Sequence, residues 1–141
     1  MFNKKLAIVG ASGAVGRVFI ELLDEMYPGT KDLSLVASKR SAGKSMFCGK
    51  QEFIIQDIEE FDFSQVEIAF FSAGAETAEK YAPIAVSKGC TVIDNSSQFR
   101  TDLDKPLIVP EVNSKDLKNF KLPGIIANPN CSTAQLVVAS V

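Results

Sequence analysis

A chain of 141 residues with 46% hydrophobic and 23% charged residues can bury one sizeable core and has the balance of an ordinary α/β domain. A net charge of −2 with no basic cluster argues against nucleic acid or an anionic membrane as partner, and no apolar run approaches the ~20 residues of a membrane span. The cysteines, Cys48, Cys90 and Cys131, are too widely spaced for a disulfide framework or a zinc signature, so no metal is expected. With no signal peptide visible, a reducing, cytoplasmic setting is the simplest reading.

In chain order, residues 5–9 form a continuous apolar run, as expected of a parallel strand covered on both faces. The run enters Gly10-Ala11-Ser12-Gly13-Ala14-Val15-Gly16. Apolar residues then recur at Val15, Val18, Phe19, Leu22, Leu23 and Met26, on one expected helical face. Strand, glycine turn and helix in this order are what a dinucleotide-binding unit requires, with the pyrophosphate on the helix N-terminus. The spacing is GxxGxxG, and a plain tight βα turn is the competing reading.

A second strand over 33–38 ends where an NAD-binding protein places Asp or Glu for the ribose 2′-hydroxyl. Here the chain reads Ser38-Lys39-Arg40-Ser41, with no carboxylate. Hydroxyls and an arginine fork would welcome a 2′-phosphate, so NADP(H) is expected over NAD; a solvated basic loop is the alternative. Residues 46–55 read as a short hairpin or loop excursion, with Cys48 packing. A strand over 66–71 ends in Ser72-Ala73-Gly74, small residues that let a cofactor lie against the backbone or simply make a turn. A helix comes next, with Pro83 expected to kink it and Gly89 to end it.

The strand over 90–94 leads into the polar loop Asn95-Ser96-Ser97-Gln98-Phe99-Arg100. Arg100 is either a surface charge or an anion clamp at the C-terminal sheet edge. Residues 107–113 read as a short strand and turn, with Asn113 or Ser114 capping a brief helix to Asn119. After a last strand over 124–127, Asn128-Pro129-Asn130 breaks the run and Cys131 opens an apolar helix. Unpartnered N–H groups and the helix dipole at such a start bias a thiol toward thiolate. Those N–H groups and the Asn130 amide would stabilise an oxyanion formed when sulfur attacks a carbonyl. The alternative makes Cys131 a small core residue. The chain has no histidine, the commonest acid/base partner of a cysteine nucleophile. Nothing in 136–141 reads as a C-cap, so a longer parent protein is expected.

Taken together, Gly10 to Gly16, Ser38 to Gly43, Phe71 to Gly74, Asp94 to Arg100, Val109 to Asn113 and Asn128 to Thr133 closely resemble aspartate-β-semialdehyde dehydrogenase. N-acetyl-glutamyl-phosphate reductase is a sibling that typically carries a tyrosine and proline after its cysteine; here Ser132-Thr133-Ala134-Gln135 stands in that place. The resemblance implies a Rossmann-like α/β fold with a mostly parallel, doubly wound sheet. Residues 1–127 would bind NADP and 128–141 begin a catalytic region whose C-terminal catalytic and dimer-forming domain is missing from this chain. It further implies NADPH-dependent reduction of L-aspartyl 4-phosphate to L-aspartate 4-semialdehyde with release of phosphate. That step leads to lysine (through diaminopimelate), threonine, methionine and isoleucine. Cys131 would form a thioester, Asn130 would hold the oxyanion, and Arg100 with Asn95 would bind substrate and phosphate. Gly10, Ser12, Gly13, Ala14, Val15 and Gly16 would cradle the pyrophosphate. Ser38, Arg40 and Ser41 would meet the 2′-phosphate, and Ser72, Ala73 and Gly74 the cofactor. A homodimer or homotetramer is implied for the full-length protein. A non-catalytic dinucleotide-binding module and a ligand-free interaction domain are the readings from other classes.

Overall fold

The computed structural model describes residues 3–141, so the first two positions of the expected 1–127 unit lie outside the described residues. The apolar run Leu6–Val9 forms β1, and all four of its side chains are buried. Alternation along the strand divides them between two cores. Leu6 and Ile8 join a cluster with Ile20, Leu23 and Leu35, whereas Ala7 and Val9 join one with Ala78, Ala82 and Phe71. A strand with no solvent face must sit mid-sheet with helices on both sides, and that is where β1 lies.

Around it run α1 (Ala14–Met26), β2 (Leu33–Ala37), β3 (Ser45–Cys48), β4 (Gln51–Asp57), β5 (Ile68–Phe71), α2 (Ala75–Ser87), β6 (Thr91–Asp94), α3 (Pro110–Asn113), β7 (Ile125–Ala127) and α4 (Cys131–Ala139). The seven-stranded sheet has the order β3-β4-β2-β1-β5-β6-β7. Every pairing is parallel except β3 with β4. The chain leaves β1 toward β2 and returns on the other side at β5, so α1 and α2 cover opposite faces. The crevice between β1 and β5 is the topological switch point, where open α/β sheets bind ligands. No helix among the described residues is long and apolar enough to cross a membrane.

Aromatic packing anchors both faces. Phe19 on α1 stacks on Phe70 of β5 with ring centroids 4.2 Å apart. On the α2 face Phe63 meets Phe61 edge-on at 5.0 Å and Phe71 at 6.0 Å. Gly89, at φ 89°, closes α2 in a Schellman motif: its N–H donates to the Val86 carbonyl and that of Cys90 to the Ala85 carbonyl.

Five expectations are corrected. The buried stripe of α1 is Gly16, Ile20 and Leu23 with Phe19 half-buried, whereas Val15, Val18, Leu22 and Met26 are exposed. Leu22 and Met26 instead line an open apolar groove with Ile68, Phe70 and Ile93 of the sheet. Residues 46–55 do form the expected hairpin, β3 antiparallel to β4, but it is no excursion: β4 extends to Asp57 and pairs in parallel with β2, adding the hairpin to the main sheet. The segment 107–113 contributes one parallel bridge, Leu107 to Ala127, before Pro110 starts α3; proline suits a first helical turn. The Asn113 side chain does not cap the 3₁₀ helix Ser114–Asn119. Its Oδ1 instead accepts from the Val109 N–H and its Nδ2 donates to the Leu107 carbonyl, closing the turn backward. Finally, α4 does end in a polar cap, since the Ser140 N–H donates to Val137 and its hydroxyl to Leu136. The helix α2 runs on through Pro83, which occupies an exposed position.

Candidate active site

The first part of the site is built by the turn from β1 to α1. Gly10 has φ 89°, and a Cβ there would lie 2.5 Å from the Ser72 carbonyl oxygen, so only glycine lets this loop approach the end of β5. A Cβ on Gly16 would collide with the Gly10 carbonyl, which fixes how closely α1 packs on its own entry loop. Gly13 caps α1 without a side chain, no acidic residue occupies the first turn, and the Gly13 N–H is spent on Gly10. The N–H groups of Ala14, Val15 and Gly16 therefore remain for an anion. The Arg17 Nε donates to the Ser12 carbonyl at 3.1 Å and braces the loop from outside.

Above this turn lies a cleft of about 330 Å³ lined by Gly10, Ser12, Gly13, Ser38, Ser72 and Ala73, with Val9, Ala37, Ile58 and Thr77 completing its walls. Of the expected cofactor residues, Gly74 caps α2 at the rim with φ 88°. Ser38 and Arg40 are exposed in the turn after β2, whereas Ser41 is buried, its N–H donating to the Ser38 carbonyl. Ile58 and Thr77 were not anticipated. Ile58 comes just after β4, whose place in the main sheet is set by long-range pairing, and its N–H bonds to the Ala37 carbonyl. Thr77 carries a weak signal, being near the start of the helix opened by Gly74.

The second part lies at the C-terminal ends of β6 and β7. Asp94 is fully buried, and its carboxylate accepts from the Ser96 N–H at 3.0 Å and the Ser96 hydroxyl at 2.7 Å. The loop thus turns back at once and delivers Arg100. The Arg100 Nε donates to the Asn128 carbonyl and its Nη2 to the Asn95 carbonyl, each at 3.0 Å. Both partners are neutral, and Arg100 has no ion pair among the described residues. A half-buried guanidinium held in place by neutral partners has the chemistry to accept an anion.

Cys131 is the first residue of α4 and is exposed. Its Sγ lies 3.8 Å from the Asn130 Oδ1, which also accepts from the Ser132 N–H at 2.9 Å. Asn130 is therefore the helix N-cap, and the Cys131 and Thr133 N–H groups, with Asn130 Nδ2, are the donors left over. No acidic residue stands in this first turn. The other thiols differ: Cys48 and Cys90 are buried, and burial pushes the Cys90 thiol up to about 12. No group of metal-ligating side chains occurs among the described residues.

Residues 5–120 match the family model described as semialdehyde dehydrogenase, NAD binding domain. The chain belongs to this family. Aspartate-semialdehyde dehydrogenase of Shewanella violacea is 51% identical over 135 residues, which is 95% of this chain and 40% of that relative. Among solved structures, aspartate semialdehyde dehydrogenase II of Vibrio cholerae complexed with ASA superposes with a TM-score of 0.90 at 51% identity, covering 95% of this chain and 44% of that one. The Candida albicans aspartate semialdehyde dehydrogenase with NADP gives 0.80 at 32% identity, covering 96% of this chain and 45% of the other. The chain thus spans 40% to 45% of the length of these relatives.

Proposed function

We propose that this chain carries the cofactor-binding and nucleophile-bearing part of an enzyme that reduces L-aspartyl 4-phosphate to L-aspartate 4-semialdehyde with NADPH, releasing phosphate. Such an enzyme serves aspartate-derived amino-acid biosynthesis in the cytoplasm, where an exposed thiol stays reduced. The full-length protein is taken to be a homodimer or homotetramer. One observation carries the reading: the exposed Cys131 opens α4 three residues beyond Asn128, whose carbonyl anchors the uncompensated Arg100 guanidinium. A nucleophile and an anion receptor on one sheet edge suit an acyl phosphate, which has an electrophilic carbon beside a dianionic leaving group.

In this reading the Cys131 thiolate attacks the acyl carbon, the C–O bond to phosphate breaks, and phosphate leaves with its electron pair toward Arg100. The carbonyl oxygen of the resulting thioester meets the Cys131 and Thr133 N–H groups and Asn130 Nδ2. The glycine cradle, whose close backbone packing a Cβ at Gly10 or Gly16 would break, fits a dinucleotide pyrophosphate. NADPH bound there supplies the hydride. Cys131 is regenerated as its C–S bond breaks and the aldehyde departs.

The turn Ser38-Lys39-Arg40-Ser41 supports NADPH over NADH, with Arg40 and Ser38 as the exposed donors to the 2′-phosphate. Calorimetric titration of the chain with both cofactors tests this. One charge-assisted contact is worth ~1.5–3 kcal/mol, so NADPH is expected to bind at least about tenfold more tightly and Arg40→Ala to erase the difference. Equal affinities in the unaltered chain would remove the 2′-phosphate assignment.

A further inference from the structure

We propose that Asn128 is a positioning residue for the Arg100 anion receptor, setting the spacing between the loop after β6 and the loop after β7. The inference rests on the phosphate reading of Arg100 given above. Asn128 commits its backbone N–H, its backbone carbonyl and its side-chain Nδ2 to the segment 94–100. Its N–H donates to the Asp94 carbonyl at 2.8 Å, its Nδ2 donates to the Asn95 Oδ1 at 2.6 Å, and its carbonyl accepts from the Arg100 Nε at 3.0 Å. Asn95 completes a closed circuit, because its own carbonyl accepts from the Arg100 Nη2 at 3.0 Å. The two residues whose carbonyls grip one edge of the guanidinium are thereby bonded to each other through their side chains. That edge spends two of the five N–H donors of an arginine and leaves three for a ligand.

The circuit has a mechanical consequence. A fork that spans two loops is only as well placed as the gap between them. The β6–β7 ladder runs only from Val92 to Asp94, so it fixes the loops at their roots and not at the level of Arg100. The Asn95–Asn128 amide pair is the cross-tie at that level. It also spends the Oδ1 of Asn95 and leaves Nδ2 as that side chain's remaining donor, so the expected contact of Asn95 with substrate would be made through Nδ2 alone. An anion-binding fork loses affinity steeply when its donors are misplaced, whereas the cofactor cleft at β1 and β5 lies on other elements.

The test is titration of the 141-residue chain with inorganic phosphate, followed through the Arg100 Nε–H resonance, with NADPH titrated in parallel. Asn128→Ala is expected to weaken phosphate about tenfold, the scale of one lost hydrogen bond to a partly buried polar group, and to broaden the Nε–H signal. NADPH affinity is expected to stay within about twofold by the same scale. Asn95→Ala opens the same link from the other side and also removes the remaining Nδ2 donor, so it is expected to weaken phosphate at least as much and to broaden the Nε–H signal alike, which gives a second reading should Asn128→Ala fold poorly. Phosphate affinity and Nε–H signal unchanged in both variants, or equal losses of phosphate and NADPH in Asn128→Ala, would overturn the proposal. Arg100→Ala separates the two levels. Loss of the phosphate response there with none in the asparagine variants removes the positioning role alone, and a retained response removes the phosphate reading itself.

Discussion

At the scale of single residues, the three cysteines differ in nothing but their surroundings, and those surroundings sort their chemistry. Cys48 is buried, and burial with the nearby Asp24 carboxylate raises its pKa. Cys90 is buried against α2 and pushed up to about 12. Cys131 is exposed at a helix start. Brief treatment of the folded chain with iodoacetamide near neutral pH is expected to modify Cys131 alone, and denatured chain at all three thiols, as read by peptide mass spectrometry. Comparable labelling of Cys90 in the folded chain would show that the α2 face is not closed as described. The place of Cys131 was legible in the sequence, because it comes after a strand break and opens a helix; the burial of Cys90, first residue of the strand read over 90–94, comes from the packing of α2 on the sheet. The partition of Asn130 was not. Its type and position announce a helix cap and an amide donor equally well, and only the geometry gives Oδ1 to the Ser132 N–H and leaves Nδ2 over. Asn128 and Asn95 were read within motifs, but a bond between residues 33 positions apart leaves no local pattern.

At the scale of elements, the β1–α1 unit tests how tightly a loop can be specified by what it excludes. Gly16 lies within α1, where glycine is otherwise unfavourable, and a methyl group there would enter the space of the Gly10 carbonyl and the Ala11 backbone. Gly16→Ala is expected to destabilise the chain by ~1–3 kcal/mol through overpacking, despite the gain in helix propensity, and to abolish NADPH binding by displacing the entry loop. Thermal denaturation and a cofactor titration read the two effects; a stabilised variant that binds NADPH normally would refute the packing argument. Most elements were legible from periodicity because both faces of a parallel sheet demand apolar runs, and glycines marked the turns. Three of the misreadings share one cause. Which arc of α1 is buried depends on where the helix lies on the sheet, β4 depends on pairing with β2, and the 107–113 segment depends on one bridge to Ala127. Each is settled by a distant strand, beyond the reach of a local pattern.

At the scale of the whole molecule, what the chain contains and what the proposed reaction needs do not coincide. Two of its parts are formed: the cleft at the switch point, and the edge that holds Cys131, Asn130 and Arg100. The 141 residues include no histidine, the commonest acid/base partner of a cysteine nucleophile. The shifted carboxylates, Asp62 and Glu67, are both lowered, Asp62 by hydrogen bonds from Ser64 and Glu67 by one from Lys4. Lysine, with an ordinary pKa near ~10.4, is a poor general base at neutral pH. The helix that carries the nucleophile also has no buried side chain, Leu136 and Val138 face solvent, and the element it packs against is α3. Loss of acid/base catalysis alone costs ~10²–10⁴ in rate, and loss of substrate positioning costs up to ~7–11 kcal/mol of barrier reduction. We therefore expect the purified chain to bind NADPH yet to show less than about a hundredth of the phosphate-dependent NADPH formation from aspartate semialdehyde given by a full-length relative such as the Shewanella violacea protein. Activity within about tenfold of that relative would mean that some group in this chain already moves the proton, and the cysteine site would then have to be rebuilt around it.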